Sequence, residues 1–173
     1  MPQSLLIQHD DHIRGSIDAA IVIVLYTDYQ CPTCRAAHLA IKDLQKRLGT
    51  QLCTVLRHFP QTDRHPYAEL AAECAEAAGA QGNFWAMHDA LFALQASFEP
   101  AMLPALAERL GLDPDLLTED VTRRAFRARV ERSASGGTRL GVVSAPTLFI
   151  NGQRYDGDID EGAIVDALMR FVA

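Results

Sequence analysis

The chain has 173 residues, 49% of them hydrophobic and 22% charged, with a net charge of −6. That length suits one globular core, or a core with an insertion, and the composition excludes a disordered or fibrous chain. The acidic balance argues against nucleic acid as a main partner, and four cysteines are too few for a disulfide scaffold.

Residues 1–18, MPQSLLIQHDDHIRGSID, lack a basic start followed by an apolar run, so no secretory signal is expected. On this ground the sequence predicts a cytoplasmic protein. A mature chain released from a longer precursor would look similar and would lie outside the cytoplasm. The longest apolar run, AAIVIVLY at 19–26, is too short to span a bilayer, so no membrane insertion is expected.

That run continues as AIVIVLYT (20–27), apolar throughout and rich in β-branched residues, the pattern of a central strand covered on both faces. A helix is predicted over 31–49, with Pro32 in its first turn, Leu39, Leu44 and Leu48 on an apolar face, and Gly49 at its end. QLCTVLRHF (51–59) reads as a second strand stopped by Pro60. Helices are then expected at 65–80, at 83–95 with Asn83 as its cap, at 99–111, and as one or two more within 113–137. Strand character returns at 146–157, where Asn151-Gly152 between two strand-like runs signals a hairpin. A last helix is predicted over 160–172. The order β-α-β, helices, β-β-α predicts an α/β fold: residues 1–61 and 139–173 form one discontinuous domain, and 62–138 form an all-helical insertion.

The sequence YTDYQCPTCRAAH (26–38) places Cys31 and Cys34 where the first predicted strand turns into the first helix. Zinc in a structural site needs four ligands; there is no second CxxC, and Cys53 and Cys74 lie alone within a predicted strand and helix. A disulfide closing so small a loop removes little entropy from the unfolded chain, so it makes a poor staple. A redox pair fits the position. At a helix N-terminus, unpaired N–H groups and the positive end of the helix dipole favour the Cys31 thiolate, which is the nucleophile. The dipole contributes up to about 2 kcal/mol, while a pKa drop of about 2 units needs roughly 2.7 kcal/mol; backbone N–H groups, and the Thr33 hydroxyl, would have to supply the rest. Cys34, one turn into the helix, is the expected resolving thiol.

Three stretches, DYQCPTC, RHFPQTDRHPYAELAAECAEAAGAQGNFWAMHDALF and GVVSAPTLFINGQRYDG, together resemble the DsbA-like thiol–disulfide oxidoreductases, in order over roughly residues 12–170. The resemblance implies a thioredoxin-like fold, a central mixed sheet flanked by helices with a helical insertion. It also implies a cis peptide between Ala145 and Pro146 facing the cysteines, with the Ala145 backbone open to an extended peptide. Protein or peptide thiols and disulfides are the implied substrates, with glutathione or a thioredoxin-type protein as recycling partner. No metal or organic cofactor is expected, because the dithiol is itself the redox centre.

Three positions depart from that family's pattern. An acidic residue that relatives often carry six positions before the first cysteine, as proton acceptor for the second, is Leu25 here. The histidine often found between the cysteines is Thr33, and the threonine often found before the proline is Ala145. These changes predict a Cys31 pKa of about 5–7 and a potential between the strong oxidants and the thioredoxins.

Other residues have plainer readings. Asp28 is expected as an exposed loop residue that could tune the pair, and His38 as a helix-surface histidine near it. Arg35 reads as solvated. Cys53 and Cys74 read as small buried apolar residues. Phe84, Trp85, Met87, Leu91 and Phe92 form an apolar seam, with His88 as a structural histidine, and the RRAFRARVER run (123–132) reads as a solvated helix face. Two alternatives stay open: a binding module on the same fold with idle cysteines, and a glutathione-using isomerase or transferase, whose members usually carry serine at the first site.

Overall fold

The computed structural model describes residues 7–169. Its sheet has five strands in the order β1-β3-β2-β4-β5: β1 (His12–Arg14), β2 (Ile21–Thr27), β3 (Leu52–His58), β4 (Thr147–Ile150) and β5 (Gln153–Tyr155). β2 runs parallel to β3, and every other pairing is antiparallel. β2 lies at the centre and is buried along nearly its whole length, which is why its sequence is apolar without alternation. One of its faces places Ile21, Ile23 and Leu25 against α1 (Pro32–Leu48) and α7 (Glu161–Met169), through Ala37, Ile41, Leu44, Ile164 and Leu168. The opposite face packs Val24 and Tyr26 on Val55, Val142 and Phe149.

Between β3 and β4 the chain forms α2 (Ala68–Ala80), α3 (Phe84–Ala93), α4 (Leu103–Arg109), α5 (Pro114–Thr122) and α6 (Arg127–Arg139). These helices do not close on themselves. Their apolar cluster, with Ala75, Met87, Leu91, Phe92 and Leu106, also contains Tyr29, Cys31, Cys34, Leu56 and Ala145. α6 approaches the sheet closely: a Cβ on Gly137 would lie 2.8 Å from the Tyr26 ring. The Asn151-Gly152 turn has positive φ at both residues, 47° and 80°, the geometry that dipeptide favours in a tight hairpin.

Several expectations change in detail. β1 was too short to show a pattern; it exists because β3 pairs with it and the Trp85 indole donates to the Ile13 carbonyl at 3.0 Å. The helix expected from 65 begins at Ala68, because the His65 side chain is held by Asp28 and Pro66 follows. Asn83 precedes α3, yet its amide donates to the Leu110 carbonyl at 2.9 Å instead of capping the helix. The 113–137 stretch breaks near Arg124, whose φ is 56°. The 123–132 run is not merely solvated: Arg124 binds the carboxylates of Glu73 and Glu69, and Arg129 Nε lies 2.6 Å from Glu76. Residues 170–172 of the expected last helix lie outside the described residues.

Candidate redox site

Cys31 caps the N-terminus of α1 with extended backbone, and Pro32 takes the first helical position, where no N–H is needed. The helix then turns Cys34 inward. Cys31 keeps 7% of its surface exposed and Cys34 none, and both are free thiols. Thr33 and Arg35 are exposed.

The two thiols are pushed in opposite directions. Cys31 is lowered to about 6, first by the hydrogen bond from Cys34, against burial, and then by the backbone N–H groups of Cys34 and Thr33; the charge of Asp28 opposes this. Thr33 thus acts through its backbone N–H. Cys34 is raised well above the ordinary thiol range, chiefly by burial and then by its hydrogen bond to Cys31. The Asp28 backbone N–H donates to Cys34 Sγ at 3.4 Å. Leu25 is buried against α1 and brings no carboxylate.

The Ala145–Pro146 peptide is cis. The Ala145 carbonyl accepts from the Cys31 thiol at 3.5 Å, and its N–H donates to the Gln61 side-chain oxygen at 3.1 Å. The structure therefore brings together Cys31, Pro32, Thr33, Cys34, Ala145 and Pro146.

Asp28 is a correction to the exposed-loop reading. It is buried, at 1% exposure, because its carboxylate satisfies three donors on two loops. Oδ1 accepts from the Gln30 N–H at 2.8 Å, and Oδ2 from the Gln61 N–H and His65 Nδ1, both at 2.8 Å. His38 is likewise buried rather than on the surface. Its Nδ1 lies 3.1 Å from His88 Nε2, and His88 Nδ1 lies 3.0 Å from the Tyr29 hydroxyl. Burial lowers His38 to about 4 and drives His88 well below the ordinary range.

Among the described residues, His38, His88 and Asp89 have ligand atoms within 4.8 Å of one another. The two imidazole nitrogens face each other, and Asp89 is already held by Lys42 at 2.8 Å and Arg14 at 3.3 Å. Two cations beside the carboxylate oppose a third.

Sequence reasoning missed Gln61, His65 and Gln95. The Gln95 amide donates to the carbonyls of Tyr29 and Cys31, at 2.8 and 2.9 Å, tying the helical segment to the redox loop. A glutamine just past a helix end carries no periodic signal, so only its partners reveal it. Cys53 and Cys74 are buried, as read from sequence, and burial raises both thiols.

A family profile described as Thioredoxin matches residues 8–169. The Na(+)/H(+) antiporter NhaA 1 of Salinispora arenicola is 42% identical over 158 residues, which are 91% of this chain and 24% of the antiporter. The NhaA 1 antiporter of Mycobacterium sp. (strain KMS) is 39% identical over 160 residues, with 91% and 26% covered. The chain thus spans about a quarter of the length of these relatives, and none of its described helices is long and apolar enough to cross a membrane. Among solved structures, oxidised BdbD from Bacillus subtilis superposes with a TM-score of 0.81 at 22% identity, over 94% of this chain and 92% of BdbD. Wolbachia pipientis alpha-DsbA1 gives 0.82 at 17% identity, over 96% and 93%. The shared fold is that of DsbA-type proteins, a thioredoxin-like sheet carrying inserted helices. With the profile covering nearly the whole chain, this protein belongs to the thioredoxin family.

Proposed function

We propose that this protein exchanges disulfides with protein or peptide thiols through Cys31 and Cys34. The observation that carries the reading is the opposed behaviour of two thiols one helical turn apart: the outer one gives up its proton near pH 6, and the enclosed one holds its own. In the reducing direction the Cys31 thiolate attacks one sulfur of a substrate disulfide. The S–S bond breaks, and the other substrate sulfur leaves as a thiolate and takes up a proton. Cys34 then loses its proton and attacks Cys31 Sγ, releasing the first substrate sulfur. Two electrons have passed from the dithiol to the substrate, and Cys31–Cys34 is left as a disulfide. The oxidising direction runs the same steps backwards. Pro146 and Ala145 shape the groove beside Cys31, and glutathione or a thioredoxin-type protein resets the pair.

The test is the equilibrium potential of the pair in a glutathione series, with alkylation to count free thiols. A potential of about −230 to −270 mV fits a reductase or sensor in the cytoplasm, and about −120 to −180 mV fits a disulfide donor in an oxidising compartment. A pair that never closes refutes the redox reading and leaves a peptide-binding module.

The match to one quarter of antiporter chains favours a second reading, a thiol–disulfide domain that serves a transporter. In that case this chain binds an NhaA-type antiporter, and Cys31→Ser in this chain abolishes the effect of oxidants on transport while basal transport persists.

A further inference from the structure

A peptide that adds to a strand edge needs a free N–H and a free carbonyl on the receiving backbone. Ala145, which precedes the cis proline and faces Cys31, lacks the first: its N–H is taken by the Gln61 side-chain oxygen at 3.1 Å, whereas its carbonyl, which accepts from the Cys31 thiol at 3.5 Å, is released once that thiol ionises. We propose that Gln61 is a gate on peptide binding, its amide oxygen standing on the Ala145 N–H in place of a substrate carbonyl. This deepens the oxidoreductase reading and rests on it. An extended peptide docks fully only after Gln61 swings aside, whereas a small disulfide reaches Cys31 without pairing to Ala145.

The geometry suits a gate. The backbone of Gln61 is fixed: its N–H donates to Asp28 Oδ2 at 2.8 Å, and its carbonyl accepts from the N–H groups of Arg64 and His65 at 3.0 and 2.9 Å. Asp28 Oδ2 also holds His65, so the loop is anchored to the segment preceding Cys31. The Gln61 residue is half-buried, which leaves its side chain a path to solvent. The acceptor is an amide oxygen, the same chemical group a peptide would offer. Such a bond is weak enough in net terms to be exchanged for the substrate's own. Because the barrier is met only by backbone pairing, it selects between substrates instead of slowing all of them.

Two measurements on the reduced protein test this, in wild type, Gln61→Met and Gln61→Glu. Amide hydrogen exchange reads the Ala145 N–H directly. Steady-state kinetics compare an extended peptide disulfide with 2-hydroxyethyl disulfide, which has no peptide bond. In Gln61→Met the Ala145 amide exchanges faster, and the KM ratio shifts about three- to tenfold in favour of the peptide. In Gln61→Glu the carboxylate accepts more strongly, exchange slows and the ratio moves the other way. Equal KM shifts for both substrates, or an Ala145 amide indifferent to residue 61, overturn the gate while the redox reading stands. A wild type that turns over neither disulfide overturns the redox reading itself, and the gate's role falls with it.

Discussion

Two buried carboxylates organise different parts of this molecule. Glu76, on α2, accepts from His12 Nε2 on β1 and His58 Nε2 on β3, both at 2.9 Å, and pairs with Arg129 on α6 at 2.6 Å. Asp28 accepts from Gln30, Gln61 and His65, all in loops around Cys31. One carboxylate ties regular elements to each other; the other ties loops to a reacting sulfur. Burial pushes Glu76 towards its neutral form, but hydrogen bonds from His12 and His58 prevail and hold it well below the usual carboxylate range. Asp28 acts outward, its charge opposing the Cys31 thiolate. The role of a buried carboxylate follows from what its partners are attached to, not from its burial.

The largest expected effect belongs to the redox loop. Alkylation of Cys31 should titrate with a midpoint near pH 6, against about 8.5 for a free thiol, and the reduced chain should lose reactivity as pH falls through that value. Glu76→Gln should leave this midpoint in place; if it moves, the two regions are not separate. Next comes Glu76→Ala, which takes the shared carboxylate from Arg129, His12 and His58 and should cost about 3–5 kcal/mol in urea unfolding. A smaller loss, about 1–3 kcal/mol, is expected of Asp28→Asn. In that variant the Cys31 midpoint should fall below the wild-type value, because the opposing charge is gone. A rise would mean that the carboxylate favours the thiolate through the loops it holds.

An effect confined to acid pH lies between the regions, in the chain of Tyr29, His88 and His38. His38 is lowered to about 4 in the fold, first by burial, with Asp89 opposing and Lys42, Arg14 and Arg35 assisting; the unfolded value is about 6.5. Between those values the unfolded chain binds more protons, so stability should fall as pH drops from about 6.5 to 4. His38→Phe should flatten that slope in pH-dependent unfolding.

The architecture was legible because its signals are local and repeated. AIVIVLYT, the Asn151-Gly152 turn and the Pro32 helix start each state their element in a few residues. The site was legible at Cys31 and Cys34 for the same reason: the chemistry and the helix terminus coincide in four consecutive residues. Asp28 and His38 were misplaced because their burial comes from partners far along the chain, His65 and Gln61 for one, His88 and Phe92 for the other. Arg124 and Arg129 read as solvated because their glutamates lie on α2, some 50 residues earlier. Side chains that bond across the fold leave no periodicity, and Gln61 and Gln95 are of this kind.

The two bonds from Gln95 have a consequence for building chimeras. One amide at the end of α3 grips the carbonyls on either side of residue 30, so the inserted helices and the redox loop are mechanically a single part. Transplanting another relative's helices onto this sheet would carry along, or discard, the clamp on the loop that presents Cys31. A graft meant only to change which proteins dock would then also retune how readily the sulfur reacts, unless a glutamine is restored at that one position.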